Sequence, residues 1–336
     1  MRLHDTVRTA TPPAPGTRPV RIGVLGCAEI ARRRMLPAFA ASAHTRLVAV
    51  ASRDAARARS TAAPYDARPV HGYHPLLERD DIDAVYVPLP AALHHTWVEA
   101  ALRAGKHVLA EKPLTTEATG TARLFRLARR GGLALVENVM FVHHPQHETV
   151  RRLVADGAVG ELRSFRAEFS VPRLPAADIR HQPELGGGAL WDTGVYPVRA
   201  ALHFLGPHLE AVGAVLTKDR GLGVDTSGAA LLRTPSGVTA QLAFGLDHGY
   251  ASAYELCGSH GRISVDRAFT PPADHAPVVR IESRAGRREI RLEPCDQVAA
   301  AVSAFASAAL RGETTGAHSR RQAGLLAAVR DLADPS

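Results

Sequence analysis

The sequence has few lysines, cysteines and aromatic residues, and it has no long apolar run. The three cysteines show no paired spacing, which excludes a disulfide framework and fits a reducing cytoplasm. No stretch approaches the roughly 20 apolar residues of a membrane span, and residues 1–19 lack the apolar core of a signal peptide. We therefore expect a cytoplasmic protein that does not associate with membranes and that begins with a disordered tail at residues 1–19.

Lysine is so scarce that the basic charge is carried almost wholly by arginine. The formal net charge is +8, with lysine only at Lys106, Lys112 and Lys218. The arginines are scattered and form no basic stripe with interleaved aromatics, so nucleic acid is not an expected partner. A genome that favours Arg and Ala codons explains this balance, and the positive charge would also attract anionic ligands. Lys112 stands out because ammonium and guanidinium groups are not interchangeable in a site.

The first part of the chain alternates short apolar runs with helical segments. At 336 residues, two domains are expected. The alternation predicts an α/β domain at residues 20–140, with a parallel sheet and helices on both faces. The predicted strands are 20–25, 47–51, 84–87, 108–110 and 133–136, and the predicted helices are 29–39, 54–59, 93–103 and 117–130.

The pattern changes after about residue 140. Residues 141–336 are predicted to form an α+β domain for substrate binding and oligomerisation, with a large open and mostly antiparallel sheet. Helices at 194–204 and 297–310 would cover that sheet, and the last helix, at 322–332, is a candidate to pack on the first domain. The predicted strands are 162–169, 211–216, 229–232, 238–244, 252–257 and 278–281.

A glycine turn joins the first predicted strand to the first helix. Residues 26–31 follow a strand and open a helix, as a Rossmann dinucleotide fingerprint does, although Ala28 and Ala31 replace its second and third glycines. The backbone N–H groups of such a turn bind phosphate at a helix N-terminus. The expected dinucleotide contacts here are Gly26, Cys27, Ala28, Glu29 and Ile30.

The end of the second predicted strand indicates the cofactor. An NAD enzyme places an acid there, about 20 residues after the glycine turn, to hold the ribose 2′-hydroxyl. This chain has Ser52 at that position, followed by Arg53, with Arg57 one turn on. A serine can hydrogen-bond a 2′-phosphate and an arginine can neutralise it. We therefore expect NADP, with surface arginines of no special role as the alternative interpretation.

Two further motifs carry groups suited to ketone reduction. Lys112, between Glu111 and Pro113, is a cation that can hold a substrate oxygen, and Tyr196, four residues after Asp192, is a hydroxyl that can give a proton. By spacing alone neither is distinctive, because a lysine before proline is usually a surface turn and a lone tyrosine usually lies in a core. Together with the glycine turn, in this order, they indicate a two-domain nicotinamide-dependent oxidoreductase.

These motifs resemble the glucose-fructose oxidoreductase / inositol dehydrogenase / MocA family, from about Arg21 to the C-terminus. Within the family the likeness is to the NDP-hexose 3-ketoreductases of antibiotic deoxysugar pathways. Many family members have a histidine where this chain has Tyr196, so an inositol-type dehydrogenase is disfavoured. The family likeness rests on residues 26–31, 88–94, 105–108, 111–113, 137–138 and 192–196, and the subgroup likeness on 87–90, 140–147, 186–190 and 269–272.

The resemblance implies roles for the site residues. Lys112 would stabilise the charge that develops on the ketone oxygen and Tyr196 would deliver the proton, with the formal donor left open. Glu111 would face the cofactor or orient Lys112, Pro113 resembles a cis-proline site, and Asp192 would orient the substrate or Lys112. The remaining cofactor contacts that we expect are Leu89, His94, Glu111, Lys112, Asn138 and Asp192.

Two residues are expected on the substrate side, and no metal is expected. Arg180 could grip a diphosphate and Tyr250 could stack on a base or sugar. His143 and His147 have the i, i+4 spacing of a zinc site, but no His-Glu-x-x-His context is present and Pro145 interrupts the run.

The resemblance implies NADPH-dependent reduction of the C-3 keto group of a dTDP-3,4-diketo-2,6-dideoxyhexose to a dTDP-4-keto-2,6-dideoxyhexose. Alternatives are another sugar or dihydrodiol dehydrogenase of the same family and a non-catalytic NADP-binding regulator. Fold alone does not decide between these functions. The presence of both Lys112 and Tyr196 favours an enzyme, because a non-catalytic regulator need not keep them. The open face of the second sheet predicts a homodimer or homotetramer.

Overall fold

The structure is a computed structural model that describes residues 18–219, 221–314 and 316–334. The chain divides into two compact units. The first contains the described residues up to Asn138 together with Val298–Ser319, and the second contains Val139–Gln297 and the described residues from Arg320 onward. Residues 1–17 of the predicted tail lie outside the described residues.

The first unit contains a six-stranded parallel sheet with strand order β3-β2-β1-β4-β5-β6. The order reverses between β1 and β4, and ligands of doubly wound sheets bind at this kind of switch point. The predicted Rossmann fold is therefore confirmed. Its strands are β1 (Val20–Leu25), β2 (Thr45–Ser52), β3 (Arg68–His71), β4 (Ala84–Val87), β5 (His107–Glu111) and β6 (Leu135–Asn138).

Helices cross between these strands. The first begins with a π-helical segment, Ala31–Met35, in which the Leu36 N–H bonds back to the Ala31 carbonyl. The next helix starts at Asp54, whose carboxylate accepts the N–H groups of Ala56 and Arg57, as expected of an N-cap. The helices are α1 (Leu36–Ala41), α2 (Ala55–Ala62), α3 (His74–Leu77), α4 (Ala91–Arg103) and α5 (Ala118–Arg130).

The second unit is built on an eight-stranded sheet with strand order β14-β13-β12-β11-β7-β10-β9-β8. Only β7 and β10 pair in parallel, so the predicted mostly antiparallel sheet is confirmed. The strands are β7 (Leu162–Ser170), β8 (Glu210–Lys218), β9 (Asp225–Arg233), β10 (Thr239–Gly245), β11 (Ala251–Gly258), β12 (Gly261–Asp266), β13 (Val278–Ser283) and β14 (Gly286–Arg291).

One face of this sheet is covered and forms the core of the second unit. Phe165 and Phe244 are fully buried there, and α8 packs against β7 and β10. The helices of this part of the chain are α6 (Pro145–Ala155), α7 (Ala189–Asp192), α8 (Val195–Leu205), α9 (Gln297–Arg311) and α10 (Ala317–Ala333). No helix among the described residues is long and apolar enough to cross a membrane.

The predicted placement of the last two helices is wrong. From Val298 onward α9 belongs to the first unit, where the Thr314 hydroxyl that follows it bonds to the Leu133 carbonyl. From Arg320 onward α10 belongs to the second unit, where Leu326 is fully buried. Both helices are apolar on one side, and that pattern alone does not say which core they complete.

Candidate active site

The turn that follows β5 is anchored from the strands on either side of it. The Glu111 carboxylate, at the end of β5, accepts 2.7 Å hydrogen bonds from the Tyr86 hydroxyl of β4 and the Asn138 amide of β6. It also accepts the backbone N–H of Lys112. Burial raises the pKa of Glu111, and these hydrogen bonds and the Lys112 charge oppose the rise. Of the two predicted roles for Glu111, these contacts favour orientation of Lys112.

The next residues of the same turn are held equally closely. The Lys112–Pro113 peptide bond is cis, as the resemblance implied. The Pro113 carbonyl lies 2.8 Å from His94 Nδ1, and the Leu114 N–H donates to the Glu137 carboxylate at 3.0 Å. Hydrogen bonds at Glu111, Pro113 and Leu114 leave the backbone of Lys112 little freedom, and the Lys112 side chain is half-buried.

His94 lies inside the first unit rather than at its surface. Its ring is fully buried, with Nδ1 facing the Pro113 carbonyl and Nε2 facing the Leu89 carbonyl at 2.7 Å. The prediction that His94 contacts the cofactor is therefore wrong for this conformation, because the side chain exposes no atom. Burial lowers the pKa of His94, while both carbonyls and Glu137 act to raise it.

The glycine turn has the close-packed geometry of a phosphate-binding turn. Gly26 has φ +118°, which L side chains rarely adopt, and its N–H donates to the Ala51 carbonyl at 2.9 Å. A Cβ at Gly26 would approach a Leu89 methyl carbon to 2.9 Å. The Cys27 thiol lies 3.8 Å from the Arg57 carbonyl. The turn opens the first helix at the switch point of the sheet, so these residues fit a dinucleotide.

The end of β2 carries no free acid beside the expected ribose position. Ser52 is buried, and its hydroxyl oxygen accepts the Asp54 N–H at 3.1 Å. The Asp54 carboxylate is turned onto the first turn of α2, and these hydrogen bonds lower the pKa of Asp54. Arg53 and Arg57 are exposed, and the Arg53 carbonyl lies 3.1 Å from His71 Nε2. This donor set suits a 2′-phosphate better than a 2′-hydroxyl.

In the second unit the Asp192 carboxylate is bound by an arginine. Arg180 Nε donates to Asp192 Oδ2 at 2.7 Å, and Arg180 Nη1 donates to Asp178 Oδ1 at 3.1 Å. The charge of Asp192, followed by that of Asp178, raises the pKa of Arg180. The diphosphate contact of Arg180 stays a prediction, and two carboxylates share its guanidinium in this structure.

The triglycine segment at residues 186–188 fixes the start of α7, on which Asp192 lies. A Cβ at Gly187 would lie 2.5 Å from the Arg180 carbonyl, and one at Gly188 would collide with the Asp225 carboxylate. Asp225 in turn accepts the Leu190 N–H at 2.7 Å. Glycine is needed at position 187 because two backbone segments approach each other closely, and at position 188 because φ is +116° and the Asp225 carboxylate lies close.

Tyr196 lies on α8 among aromatic rings. Its ring centroid is 4.4 Å from that of Phe169 and 5.8 Å from that of Phe269, and the residue is half-buried. Tyr250 is 48% exposed, and its hydroxyl lies 3.0 Å from that of Thr270. A substrate contact of Tyr250 remains a prediction.

His144 and His147 lie in the interior of the second unit. His147 is fully buried with Nδ1 3.0 Å from the Tyr254 hydroxyl, and His144 Nδ1 caps α6. Among the described residues, no group of three or more His, Cys, Asp or Glu side chains could hold a metal ion.

Sequence reasoning missed Tyr86 and Glu137 as parts of the site. Tyr86 is the one polar side chain in the buried strand β4, and Glu137 stands beside Asn138 at the end of a buried strand. A polar group in such a strand needs a partner inside the protein, and that need was the signal available.

The turn at residues 111–114, which we call the lysine turn, follows a strand of a doubly wound sheet whose switch point carries the glycine turn. Together these features define a nucleotide-dependent oxidoreductase with a second domain. Two family profiles match: "Oxidoreductase family, NAD-binding Rossmann fold" over residues 20–139 and "GFO/IDH/MocA C-terminal domain" over residues 147–264. The chain belongs to the GFO/IDH/MocA oxidoreductase family.

Several relatives are similar over nearly the whole chain. A dTDP-3,4-didehydro-2,6-dideoxy-alpha-D-glucose 3-reductase of Actinomadura kijaniata is 53% identical over 93% of this chain and 95% of its own. A reductase of the same name from Streptomyces violaceoruber is 54% identical over 93% of this chain and 92% of its own. The crystal structure of KijD10, a 3-ketoreductase from Actinomadura kijaniata in complex with NADP and TDP-benzene, matches with a TM-score of 0.92 and 53% identity, over 94% of this chain and 98% of that one.

Proposed function

We propose that this protein catalyses the NADPH-dependent reduction of the C-3 keto group of dTDP-3,4-didehydro-2,6-dideoxy-glucose. The observation that carries the proposal is the 53% identity to a reductase of that name over 93% of the chain. It is supported by a lysine turn fixed on three sides and by the dinucleotide turn of the same unit. The product is the corresponding dTDP-4-keto-2,6-dideoxy sugar.

Lys112 and Tyr196 divide the work on the carbonyl group in this proposal. Bound NADPH supplies a hydride to C-3 of the sugar. The Lys112 ammonium stabilises the negative charge that develops on the oxygen, and a donor preorganised by its backbone needs no rearrangement to do so. The Tyr196 hydroxyl supplies the proton that completes the alcohol. Asp192, held by Arg180, provides a fixed negative charge in the second unit.

The proposed cofactor contacts lie at the edge of the first sheet where its parallel strands end. The backbone of residues 26–30 binds the diphosphate, and Leu89 lies against this turn. Ser52, Arg53 and Arg57 recognise the 2′-phosphate. Glu111 and Asn138 act on the cofactor only through the lysine turn that they anchor, because their hydrogen bonds are directed into the protein.

A second family function is supported by more distant relatives. A D-xylose 1-dehydrogenase (NADP(+)) of Haloferax volcanii is 39% identical over 87% of this chain. A test against this alternative follows NADPH absorbance, which falls as the dTDP-keto sugar is reduced and rises as NADP oxidises D-xylose or trans-1,2-dihydrobenzene-1,2-diol. We expect kcat/KM for the keto sugar to exceed the others by at least about 100-fold. Equal or reversed values would select the alternative.

We also propose that a second copy of the chain covers the outer face of the eight-stranded sheet. A concavity of about 760 Å³ lies on this face, and Val215, which is 66% exposed, is one of its lining residues. Apolar side chains and charges of both signs, including Arg166 and Glu168, line this surface. A two-fold axis would bring unlike charges and apolar side chains together.

A further inference from the structure

A continuous series of contacts runs from the glycine turn to the lysine turn within the first unit. Gly26 lies against the side chain of Leu89, so closely that a Cβ on this glycine would come within 2.9 Å of the Leu89 methyl carbon. The carbonyl of Leu89 faces His94 Nε2 at 2.7 Å, and His94 Nδ1 faces the carbonyl of Pro113 at 2.8 Å. One imidazole ring therefore links the turn after β4 to the turn after β5.

Both hydrogen-bond partners of the ring are carbonyl acceptors. A neutral imidazole has one N–H and donates to one of them at a time, whereas the charged ring donates to both. The charges that face the ring are the Glu137 carboxylate on β6 and the Lys112 ammonium after β5. Because the ring is fully buried, it cannot touch a bound dinucleotide.

We propose that His94 is a positioning residue that sets the separation between the glycine turn and Lys112. The inference rests on the proposed function for the identity of the cofactor. A dinucleotide bound at Gly26 is aligned through Leu89 and His94 with the backbone of Pro113, and hence with Lys112. The nicotinamide half of the cofactor depends on this alignment. The adenosine half, recognised at Ser52 and Arg53, does not.

The test separates these two halves by ligand. The affinity for 2′,5′-ADP reports the adenosine half alone, and the ratio of the Kd for 2′,5′-ADP to the Kd for NADPH reports what the nicotinamide half adds. Both constants are measured for His94→Gln and His94→Asn, together with thermal unfolding and turnover of the keto sugar. His95→Asn is the matched control, because its ring is on the same helix but is paired at the surface with Glu99.

We expect the Kd ratio to fall at least about five-fold in the His94 variants, with the Kd for 2′,5′-ADP within about two-fold of wild type. Turnover should fall about 10- to 100-fold, as for small misplacements of reacting groups. His95→Asn should leave all three quantities within about two-fold.

The proposal is overturned by an unchanged Kd ratio in a folded His94 variant. Equal weakening of both ligands, or failure of both variants to fold, would assign His94 to stability alone and reject the positioning role. If the wild-type protein does not reduce the keto sugar, the proposed function fails, yet the Kd ratio still decides the role of His94.

Discussion

The Tyr86 hydroxyl donates a 2.7 Å hydrogen bond to the carboxylate of Glu111, the residue immediately before Lys112. Tyr86→Phe should leave this buried carboxylate with one donor fewer. We expect the free energy of unfolding to fall by about 1–3 kcal/mol, and turnover to fall several-fold because the lysine turn is less firmly held. Urea denaturation and steady-state kinetics provide the measurements.

Tyr65→Phe is the control for this change, because Tyr65 is half-buried in the same unit and lies in a surface 3₁₀ turn. A Tyr86→Phe protein as stable and as active as Tyr65→Phe would show that the anchor of Glu111 contributes nothing.

Cofactor choice is a second consequence of the structure. With Ser52 and Arg53 in place of an acid, NADPH should bind at least about ten-fold more tightly than NADH, since a charge-assisted pair contributes about 1.5–3 kcal/mol. Ser52→Asp should reduce or reverse the preference by repelling the 2′-phosphate. Titration of both cofactors is the test, and equal affinities in the wild-type protein would refute the assignment.

Assembly can be tested at the outer face of the second sheet. Val215→Asp places a charge on its most exposed apolar residue, so a homodimer or homotetramer should dissociate toward monomers. Leu332→Asp, at an exposed apolar position of α10 in the same unit, is the matched control. Light scattering that finds a monomeric wild-type protein at micromolar concentration would contradict the proposal.

The lowered pKa values of three histidines in the second unit predict how the free energy of unfolding depends on pH. Burial lowers the pKa of His143 and His144 to about 4, and it lowers the pKa of His147 well below the usual value. Between about pH 6.5 and pH 4 the unfolded chain therefore binds more protons than the folded protein. The free energy of unfolding should be highest above this range and should fall as the pH is lowered through it.

Urea denaturation at a series of pH values checks this expectation. His144→Asn keeps an N-cap acceptor for α6 but cannot titrate, so it should flatten the dependence. His260→Asn, at an exposed position of the same unit, is the control. Identical slopes for wild type and His144→Asn would show that this burial does not govern acid sensitivity.

Much of the fold could be predicted from the sequence because the first unit alternates apolar strands with helical segments. Two of the four edge strands were missed: β3 is four residues long and contains Pro69, and β14 is almost entirely polar. Neither carries the apolar pattern of a buried strand. Strand β12, with its mixed pattern, was missed as well.

Site residues that belong to a local motif could be predicted from the sequence. Site residues whose environment depends on partners distant in the sequence could not. Lys112, Tyr196 and the glycine turn are short segments with distinctive residues. The burial of His94 between two carbonyls and the capture of Arg180 by Asp178 and Asp192 arise from chain folding over several elements. A sequence gives the charge of such groups but not the partner that neutralises or orients them.

The central claim is that Lys112 stabilises the developing alkoxide and that Tyr196 donates its proton, while neither is needed to bind NADPH. Tyr196→Phe should lose about 10²-fold in turnover if it is the sole donor, and much less if Lys112 or a water substitutes. Its affinity for NADPH should change by less than about three-fold. Tyr65→Phe and Lys218→Ala, at a half-buried and an exposed position, control for the substitutions.

The most direct test is steady-state reduction of the dTDP-keto sugar by Lys112→Ala, compared with Lys218→Ala. The account predicts a loss of turnover on the order of 10²–10³-fold in Lys112→Ala, the usual effect of removing one oxyanion donor, with the fold intact and NADPH still bound. Turnover close to that of the wild-type protein would contradict it, because the anchored lysine turn would then not be the catalytic centre.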